Sequence, residues 1–378
     1  MKAAQRNARV FFLYRDSPFR REALRLEPGA AQRYSLFGLD ELESSGLSVD
    51  HNLDPSHRPR GGARASAWAC DRVVRLAGGH SGDFAGVLAC RGELNRADAV
   101  FSTDDTVGIP VALLHRARLV GTPIVYAAIG LPERLERLRS GPARRAFLSA
   151  FRRLHTIVAY GAGEAGALRA WLGPGGPEVR HVPFGVDTGY FRPDPSERPE
   201  VDVVSMGMDP RRDFGLLLEL ARRQPRWSFR VVASRGHAGA LAGAPANVQV
   251  ELDIPFAAVR DRLRRTRVVA LPVLENSYSG ATTTLLQAMA CGRPVVVSET
   301  AAIARGYGLE DGVNCRLVPP GDVGALEHAV SSLLADDHLS AALGLRARET
   351  AERQLSWERY VDTIRELVAA AAGSTVSA

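Results

Sequence analysis

Short apolar, β-branched runs alternate with longer amphipathic segments along most of the chain. In the clearest case, residues 267–273 and 293–298 have the character of strands buried on both faces. Between them, residues 281–291 carry apolar side chains at helical spacing, and Gly292 and Pro294 are suited to end that helix. The pattern predicts a β-loop-α-β unit with parallel strands and a right-handed crossover.

The same alternation occurs in both halves of the chain. Strands are predicted at residues 9–14, 47–53, 99–102, 123–128, 156–160, 201–206, 227–233 and 247–252. Helices are predicted at residues 34–45, 67–77, 84–95, 110–116, 141–154, 164–171, 215–224, 256–265 and 323–334. Polar residues 15–33 are interpreted as a long loop, and residues 55–66 as a mobile surface loop. This alternation indicates an α/β protein with doubly wound parallel sheets.

Length and composition narrow the class of protein. A chain of 378 residues exceeds one usual core, so two domains are expected. Apolar residues make up 46% and charged residues 24%, as in an ordinary globular protein. No stretch has the ~20 apolar residues of a membrane-spanning helix. We interpret the N-terminus as a first strand and not a secretion signal.

The formal net charge of +6 comes almost wholly from arginine, since Lys2 is the only lysine. A basic balance suits anionic small molecules, acidic membranes or nucleic acid. With 7% aromatic residues and no zinc-finger or aromatic RNA-binding pattern, we predict no nucleic-acid partner. The four cysteines are far apart and include no CxxC pair, which argues against a zinc site or disulfide framework and favours a cytoplasmic location.

The loop before the helix at 281–291 is a candidate anion site. Ser279, Gly280 and Ala281 lie where the helix begins, and its first turn contains three threonines: Thr282, Thr283 and Thr284. Backbone N–H groups there lack partners within the helix, and the helix dipole adds positive charge, so a phosphate could bind. Gln287, two turns later, could hydrogen-bond a sugar hydroxyl. Alternatively, this is one of the ordinary helix starts of any parallel α/β protein.

Polar residues after the first and third strands are candidates for an acceptor site. Arg15, Asp16, Asp104 and Asp105 are expected at the carboxyl edge of the sheet, which faces the ligand in open α/β folds. Solvated loop residues are the alternative interpretation. His115 is interpreted as a helix-surface histidine in preference to a catalytic one.

The helix at 141–154 interleaves arginines with Phe147, Leu148 and Phe151. Such a helix could lie on an anionic membrane surface. We favour a core helix with a solvated arginine face, and peripheral membrane contact stays open.

Residues 288–296 read Ala-Met-Ala-Cys-Gly-Arg-Pro-Val-Val, and the segment resembles the donor-binding motif of family 4 of the nucleotide-sugar glycosyltransferases, which have the GT-B fold. In that family two glutamates, eight positions apart, precede the run. Here Gln287 stands in place of the second and Ser279 in place of the first. Glu275, four residues earlier, is a candidate substitute.

The resemblance also implies a domain organisation. Residues 179–193 resemble the family's inter-domain stretch, and residues 307–322 its late turn. The implied domains are an acceptor-side Rossmann-like domain at 1–186, a nucleotide-sugar donor domain at 187–355, and a C-terminal helix at 356–378 that crosses back.

In the resembled family, a Gly-Arg pair and a later cation clamp the donor diphosphate after the first strand of the donor domain. This chain has Gly207, but Met208 replaces the first cation. Arg211 or Arg212 can serve as the second, and we prefer Arg212 because a guanidinium donates bidentately to phosphate. A surface arginine in a loop is the alternative.

The resemblance implies retaining, metal-independent hexosyl transfer from a nucleoside-diphosphate sugar, with no further cofactor. Arg212 and the helix start would stabilise the leaving diphosphate. The acceptor, a small molecule or glycan, stays open, as do the sugar, the nucleoside and the oligomeric state. The alternatives are a GT-B sugar epimerase and a non-catalytic nucleotide-sugar-binding subunit, the latter because both motif glutamates are replaced.

Overall fold

The computed structural model describes residues 7–59, 61–276, 278, 280–303 and 305–373. The chain divides into two compact units. The N-terminal unit contains Met1–Val182 together with Val361–Ala378, and the C-terminal unit is Pro183–Tyr360.

The N-terminal unit is built on a six-stranded sheet in the order β2-β1-β3-β4-β5-β6, with every pair parallel. Its strands are β1 Arg9–Leu13, β2 Ser48–His51, β3 Ala99–Ser102, β4 Ile124–Ala128, β5 Thr156–Ala159 and β6 Glu178–His181. The central strands are almost wholly buried, as their uninterrupted apolar runs predict for a sheet covered on both faces.

Helices lie between these strands in the sequence. They are α1 Pro18–Ala23, α2 Leu39–Ser44, α3 Gly61–Leu76, α4 Phe84–Ala89, α5 Arg91–Leu94, α6 Asp105–Arg116, α7 Leu131–Glu136, α8 Gly141–Phe151 and α9 Ala162–Leu172. Within α8, Phe147 and Phe151 join the core and the arginines face outward, so the preferred interpretation as a core helix is confirmed.

Three predictions for the N-terminal unit were wrong. The predicted helix at 34–45 is interrupted at Phe37 and Gly38, whose φ angles of 58° and 91° cannot continue a right-handed helix. The predicted loop at 15–33 contains α1, whose first turn is capped by the Ser17 hydroxyl. The predicted loop at 55–66 is shorter than expected, because α3 already begins at Gly61. The alanines and the arginine in its first turns favour a helix enough to outweigh the two glycines, Gly61 and Gly62.

The C-terminal unit repeats the architecture, with sheet order β12-β11-β10-β7-β8-β9 and every pair parallel. Its strands are β7 Val201–Gly207, β8 Phe229–Ala233, β9 Val248–Leu252, β10 Thr266–Leu271, β11 Val295–Ser298 and β12 Arg316–Val318. Its helices are α10 Phe214–Arg223, α11 Phe256–Arg264, α12 Thr282–Ala290, α13 Val323–Ala335 and α14 Asp337–Gln354. The last helix, α15 Trp357–Ala371, begins in this unit, and its larger part belongs to the N-terminal unit.

The predicted β-loop-α-β unit is confirmed as β10, α12 and β11, with β10 and β11 parallel. The apolar side of α12 is buried, and the helix ends at Gly292 with a φ of 66°. There the Arg293 amide donates to the carbonyl oxygen of Ala288 at 3.1 Å, as in a glycine-terminated helix.

Both sheets reverse their strand order once, between β1 and β3 and between β7 and β10. In open parallel sheets, ligands bind beyond the carboxyl ends of the strands at such a reversal. The loops after these four strands are therefore where a site is expected. In the part of the chain that the structure describes, no helix has the length and apolar character needed to cross a membrane.

Candidate functional site

The loops after β7 and β10 are joined by backbone contacts. Asp213 donates its amide to the carbonyl oxygen of Pro272 at 3.0 Å, and Leu274 donates to that of Arg211 at 2.8 Å. Arg212 and Val273 form an antiparallel bridge between these contacts. The loop predicted to clamp a diphosphate, residues 208–213 and here called the clamp loop, is thus fixed to the loop that leads into α12.

Arg212 is a buried cation with unused hydrogen-bond donors. Its side chain is 5% exposed, and one terminal nitrogen donates to the carbonyl oxygen of Met206. Its Nε and Nη1 are buried and have no partner among the described residues. Burial lowers the pKa of Arg212 to about 10, against the opposing effect of Asp209, so the guanidinium stays charged at neutral pH. Burying a charged group whose N–H donors have no partner destabilises the fold, unless a bound anion accepts hydrogen bonds from those donors.

Gly207 makes room for this guanidinium. A Cβ atom at Gly207 would lie 2.6 Å from Nε of Arg212, closer than non-bonded atoms approach. The glycine at the end of β7 is therefore required for the position of Arg212. From the sequence alone, Gly207 is assigned to the donor site only by resemblance.

The start of α12 offers backbone N–H groups. Ala281 precedes the helix with a φ of 66°, in the left-handed region that a non-glycine residue enters at a cost of roughly 1–2 kcal/mol. No described side chain caps the helix at this point. Thr282 is buried and Thr283 half-buried, while Ser279, assigned to the site from the sequence, lies outside the described residues.

Polar groups that sequence analysis missed connect the clamp loop with the helix start. One carboxylate oxygen of Asp209 accepts from the Arg211 amide at 2.7 Å and from the Tyr278 hydroxyl at 3.0 Å. The same oxygen lies 3.5 Å from where a Cβ atom of Gly280 would be. Asn276 is 4% exposed, and its Oδ1 has no partner among the described residues. An Asp two residues after β7 and an Asn five residues after β10 were the signal available in the sequence.

His237 supports the clamp loop from the side of β8. Its Nδ1 lies 3.0 Å from the Ser234 hydroxyl, and its Nε2 lies 3.1 Å from the backbone oxygen of Asp209. Its ring meets Phe214 edge to face. His237 therefore holds Asp209 in place.

The other two predicted donor residues have different surroundings. Glu275 is exposed, and its carboxylate accepts from the amides of Asn276 at 3.2 Å and Ala301 at 3.0 Å, which ties the loop after β10 to the segment after β11. Gln287 is 6% exposed, and its side chain forms no hydrogen bond with any described residue. Its donor and acceptor groups can therefore still serve a ligand.

The predicted acceptor residues lie at the carboxyl edge of the first sheet, but most are engaged. Asp104 caps α6 by accepting from the Thr106 amide at 2.9 Å, and it pairs with Arg20 at 3.1 Å. Arg15 and Asp16 are exposed, and Asp16 pairs with Arg21. His115 lies on the last turn of α6 and contacts the Val120 carbonyl oxygen at 2.9 Å.

Asp105 is 1% exposed and fully engaged. Its carboxylate accepts from the Tyr126 hydroxyl at 2.5 Å, the Ile129 amide at 3.1 Å and Nε of Arg134 at 2.8 Å. Burial raises the pKa of Asp105 to about 6, although Tyr126 and Arg134 act in the opposite direction.

Glu164, which the sequence analysis did not single out, is fully buried in the same unit. Its Oε1 accepts from the amides of Gly130 at 2.7 Å and Leu131 at 3.2 Å, at the start of α7. Burial and the nearby Asp105 raise the pKa of Glu164 well above its ordinary value. Within the described ranges, no three His, Cys, Asp or Glu side chains gather as a metal site requires.

Part of the chain matches a known protein family. The family described as "Glycosyl transferases group 1" matches residues 215–336, a segment that begins just after the clamp loop and includes α12. That segment is less than half of the chain.

Two relatives are similar in sequence. A "GDP-mannose-dependent alpha-(1-6)-phosphatidylinositol monomannoside mannosyltransferase" of Mycolicibacterium smegmatis is 28% identical over 216 residues, covering 50% of this chain and 56% of that protein. The "Lipopolysaccharide core biosynthesis glycosyltransferase LpsE" of Rhizobium meliloti is 27% identical over 169 residues, covering 44% and 49%. The chain thus matches about half the length of each relative.

Solved structures resemble nearly the whole chain. Sucrose-phosphate synthase from Thermosynechococcus elongatus has a TM-score of 0.71 at 15% identity, with 96% of this chain and 98% of that chain covered. Anabaena Alr3699/HepE in complex with UDP-glucose has a TM-score of 0.69 at 15% identity, with coverage of 96% and 99%. Together with the two parallel sheets and their flanking helices, these likenesses show the expected GT-B fold.

Proposed function

We propose that this protein is a glycosyltransferase that moves a hexose from a nucleoside-diphosphate sugar to an acceptor. The observation that carries the proposal is the buried guanidinium of Arg212, with Nε and Nη1 unpartnered among the described residues. It lies on a loop bonded to the loop that leads into α12, at the strand reversal of the C-terminal unit. A diphosphate supplies the charge and acceptor atoms that this group lacks.

In the proposed reaction, the diphosphate of the donor binds Arg212 and the N–H groups at the start of α12. Negative charge grows on the diphosphate as the sugar–oxygen bond breaks, and these groups stabilise that charge without reorganising. The acceptor hydroxyl forms the new bond to the sugar carbon, and its proton passes to the leaving diphosphate. Gln287 binds a hydroxyl of the donor. The retaining outcome, the independence from metal and the membership of family 4 are parts of this proposal that rest on the motif at 288–296.

We further propose the division of roles implied by that motif. Residues 187–355 bind the donor, residues 1–186 bind the acceptor, and residues 356–378 are the returning C-terminal segment, whose described helix is α15. Arg15 is the preferred acceptor contact, because Asp104 and Asp105 are engaged inside their own unit and Asp16 pairs with Arg21. The likenesses to proteins named for GDP-mannose and solved with UDP-glucose support a hexose donor and leave its nucleoside open.

The test is a thermal-shift screen with UDP, GDP, ADP and dTDP sugars, since a ligand that binds only the folded state raises the melting temperature. We expect one nucleotide class to stabilise the protein and Arg212→Ala to remove most of that shift. The matched control is Arg230→Ala, because Arg230 is also buried but bonds Glu251 and Gln249. This control should lower the melting temperature of the free protein and leave the ligand-induced shift intact. A shift that survives Arg212→Ala would show that the clamp is elsewhere.

A non-catalytic nucleotide-sugar-binding subunit is the second candidate. It is favoured by Gln287 at the position of a motif glutamate and by Glu275, whose carboxylate is bonded to backbone amides. Incubation with the stabilising nucleotide sugar separates the candidates. Hydrolysis or transfer supports the transferase, an epimerised sugar supports an epimerase, and binding without turnover supports the subunit.

A further inference from the structure

The outer face of α3 exposes large apolar side chains. Trp68, Val73 and Leu76 are 66%, 68% and 72% exposed, whereas Ala67 and Val74 on the inner face are buried in the core of the N-terminal unit. The helix therefore has an ordinary buried side and, opposite to it, a side that is apolar but uncovered. An isolated exposed apolar residue is common, but three within nine residues form a patch.

Helical spacing sorts the outer residues of α3 into two neighbouring rows. Ala65, Ala69 and Val73 follow each other at four-residue intervals, and Leu76 extends this row. The adjacent row is basic and aromatic, and consists of Arg64, Trp68, Arg72 and Arg75. All these side chains are exposed, and the Arg72 guanidinium lies 5.9 Å from the centre of the Trp68 ring.

The charge on this face has one sign. Arg64, Arg72 and Arg75 form no ion pair with a described residue. Asp71, the one acidic residue of α3, is half-buried, and its Oδ1 is shielded from solvent. The uncovered face thus combines an apolar row with a row of unpaired arginines.

We propose that this face of α3, here called the α3 face, binds the surface of an anionic lipid bilayer. Val73 and Leu76 would enter the acyl boundary, Trp68 would lie at headgroup depth, and the arginines would meet lipid phosphates. A second copy of the chain fits poorly, because symmetric pairing of the α3 face would bring like charges together. A neutral apolar partner would leave three arginines without counter-charge.

The experiment is co-sedimentation of the full chain with vesicles, without donor or acceptor, so that it is independent of the proposed transferase activity. One set contains equal parts of phosphatidylglycerol and phosphatidylcholine, and the other only phosphatidylcholine. We expect at least about tenfold tighter binding to the anionic set, because each arginine near such a surface contributes to the attraction. Equal binding to both sets, or none to either, would overturn the proposal.

Two variants locate the binding surface. Arg72→Glu with Arg75→Glu should weaken binding to anionic vesicles at least about tenfold, and Leu76→Ser should weaken it several-fold. The matched control is Leu345→Ser, which removes a side chain that is 60% exposed on α14 of the other unit and should leave binding unchanged. Variants are compared only after circular dichroism shows an unchanged melting transition.

A direct reading from Trp68 keeps the proposal testable if a variant folds poorly. The emission of Trp68 is obtained as the difference between the wild type and Trp68→Phe, and it should shift to shorter wavelength with anionic vesicles. An unshifted difference spectrum would contradict insertion of the α3 face. A concentration-dependent dimer that the α3 variants dissolve would assign the face to a second copy and overturn the lipid assignment.

Discussion

At the strand reversal of the second sheet, the buried charge is Arg212, and two of its three nitrogens have no partner among the described residues. At the reversal of the first sheet, the buried charge belongs to Asp105, whose carboxylate accepts three hydrogen bonds from its own unit. Two sheets of the same topology thus differ at their strand reversals. The second sheet has a cation with unused hydrogen-bond donors, here called the incomplete cation, and the first has an anion whose carboxylate already accepts three hydrogen bonds. Burial therefore identifies a ligand site only when hydrogen-bonding groups stay unused.

The largest expected effect is on the pH dependence of the free energy of unfolding, and it tests whether Asp105 is a structural group. Its pKa is about 6 in the folded protein and near 3.8 when unfolded. Between these values the folded state holds a proton that the unfolded state has lost, so the free energy of unfolding falls as pH rises and levels off above about pH 6. Relative to Asp105→Asn, which cannot titrate, the wild type should lose on the order of 2–3 kcal/mol between pH 4 and pH 7.

Urea unfolding of both proteins across this pH range measures the difference. Glu164 titrates in both proteins, and the part of its raised pKa that comes from burial, the larger cause, cancels in the comparison, whereas the part caused by Asp105 belongs to the effect under test. Parallel pH profiles would show that Asp105 titrates normally, and the contrast between the two edges would then fail.

A smaller effect is expected from Gly207→Ala, which tests whether nucleotide binding depends on the position of the Arg212 guanidinium. The added Cβ would clash with Nε of Arg212 and displace the guanidinium. Affinity for the stabilising nucleotide should fall on the order of tenfold, which corresponds to loss of one charge-assisted hydrogen bond. The control Gly239→Ala places a Cβ in open space and should leave affinity unchanged. Calorimetric titration gives both values, and equal affinities would separate Gly207 from the site.

The smallest effect concerns Asp209, the acidic group beside the start of α12. Asp209→Asn keeps an oxygen for the Arg211 amide and removes a negative charge that a diphosphate would meet. Nucleotide affinity should therefore rise about threefold at low salt, and the gain should shrink as salt screens the charge. Unchanged or weaker binding at low salt would show that Asp209 does not face the diphosphate.

Local sequence pattern predicted most of the secondary structure. β10, α12 and β11 appear within two residues of their predicted ends, because β-branched runs, helical spacing and Gly292 act on neighbouring residues. The misplaced segment at 34–45 depends on left-handed angles at Phe37 and Gly38, and no apolar periodicity encodes such angles.

The sequence by itself determined the alternation of strands and helices, the candidate loop before α12 and the motif that indicates a glycosyltransferase. Only the tertiary structure decided which of the predicted charged residues are buried: Arg212 is enclosed while Arg211 is half-buried, and Asp105 is enclosed while Asp16 is exposed. It likewise decided that α8 covers its apolar face and α3 does not. Periodicity is a property of adjacent residues, whereas burial depends on segments that are distant in the chain.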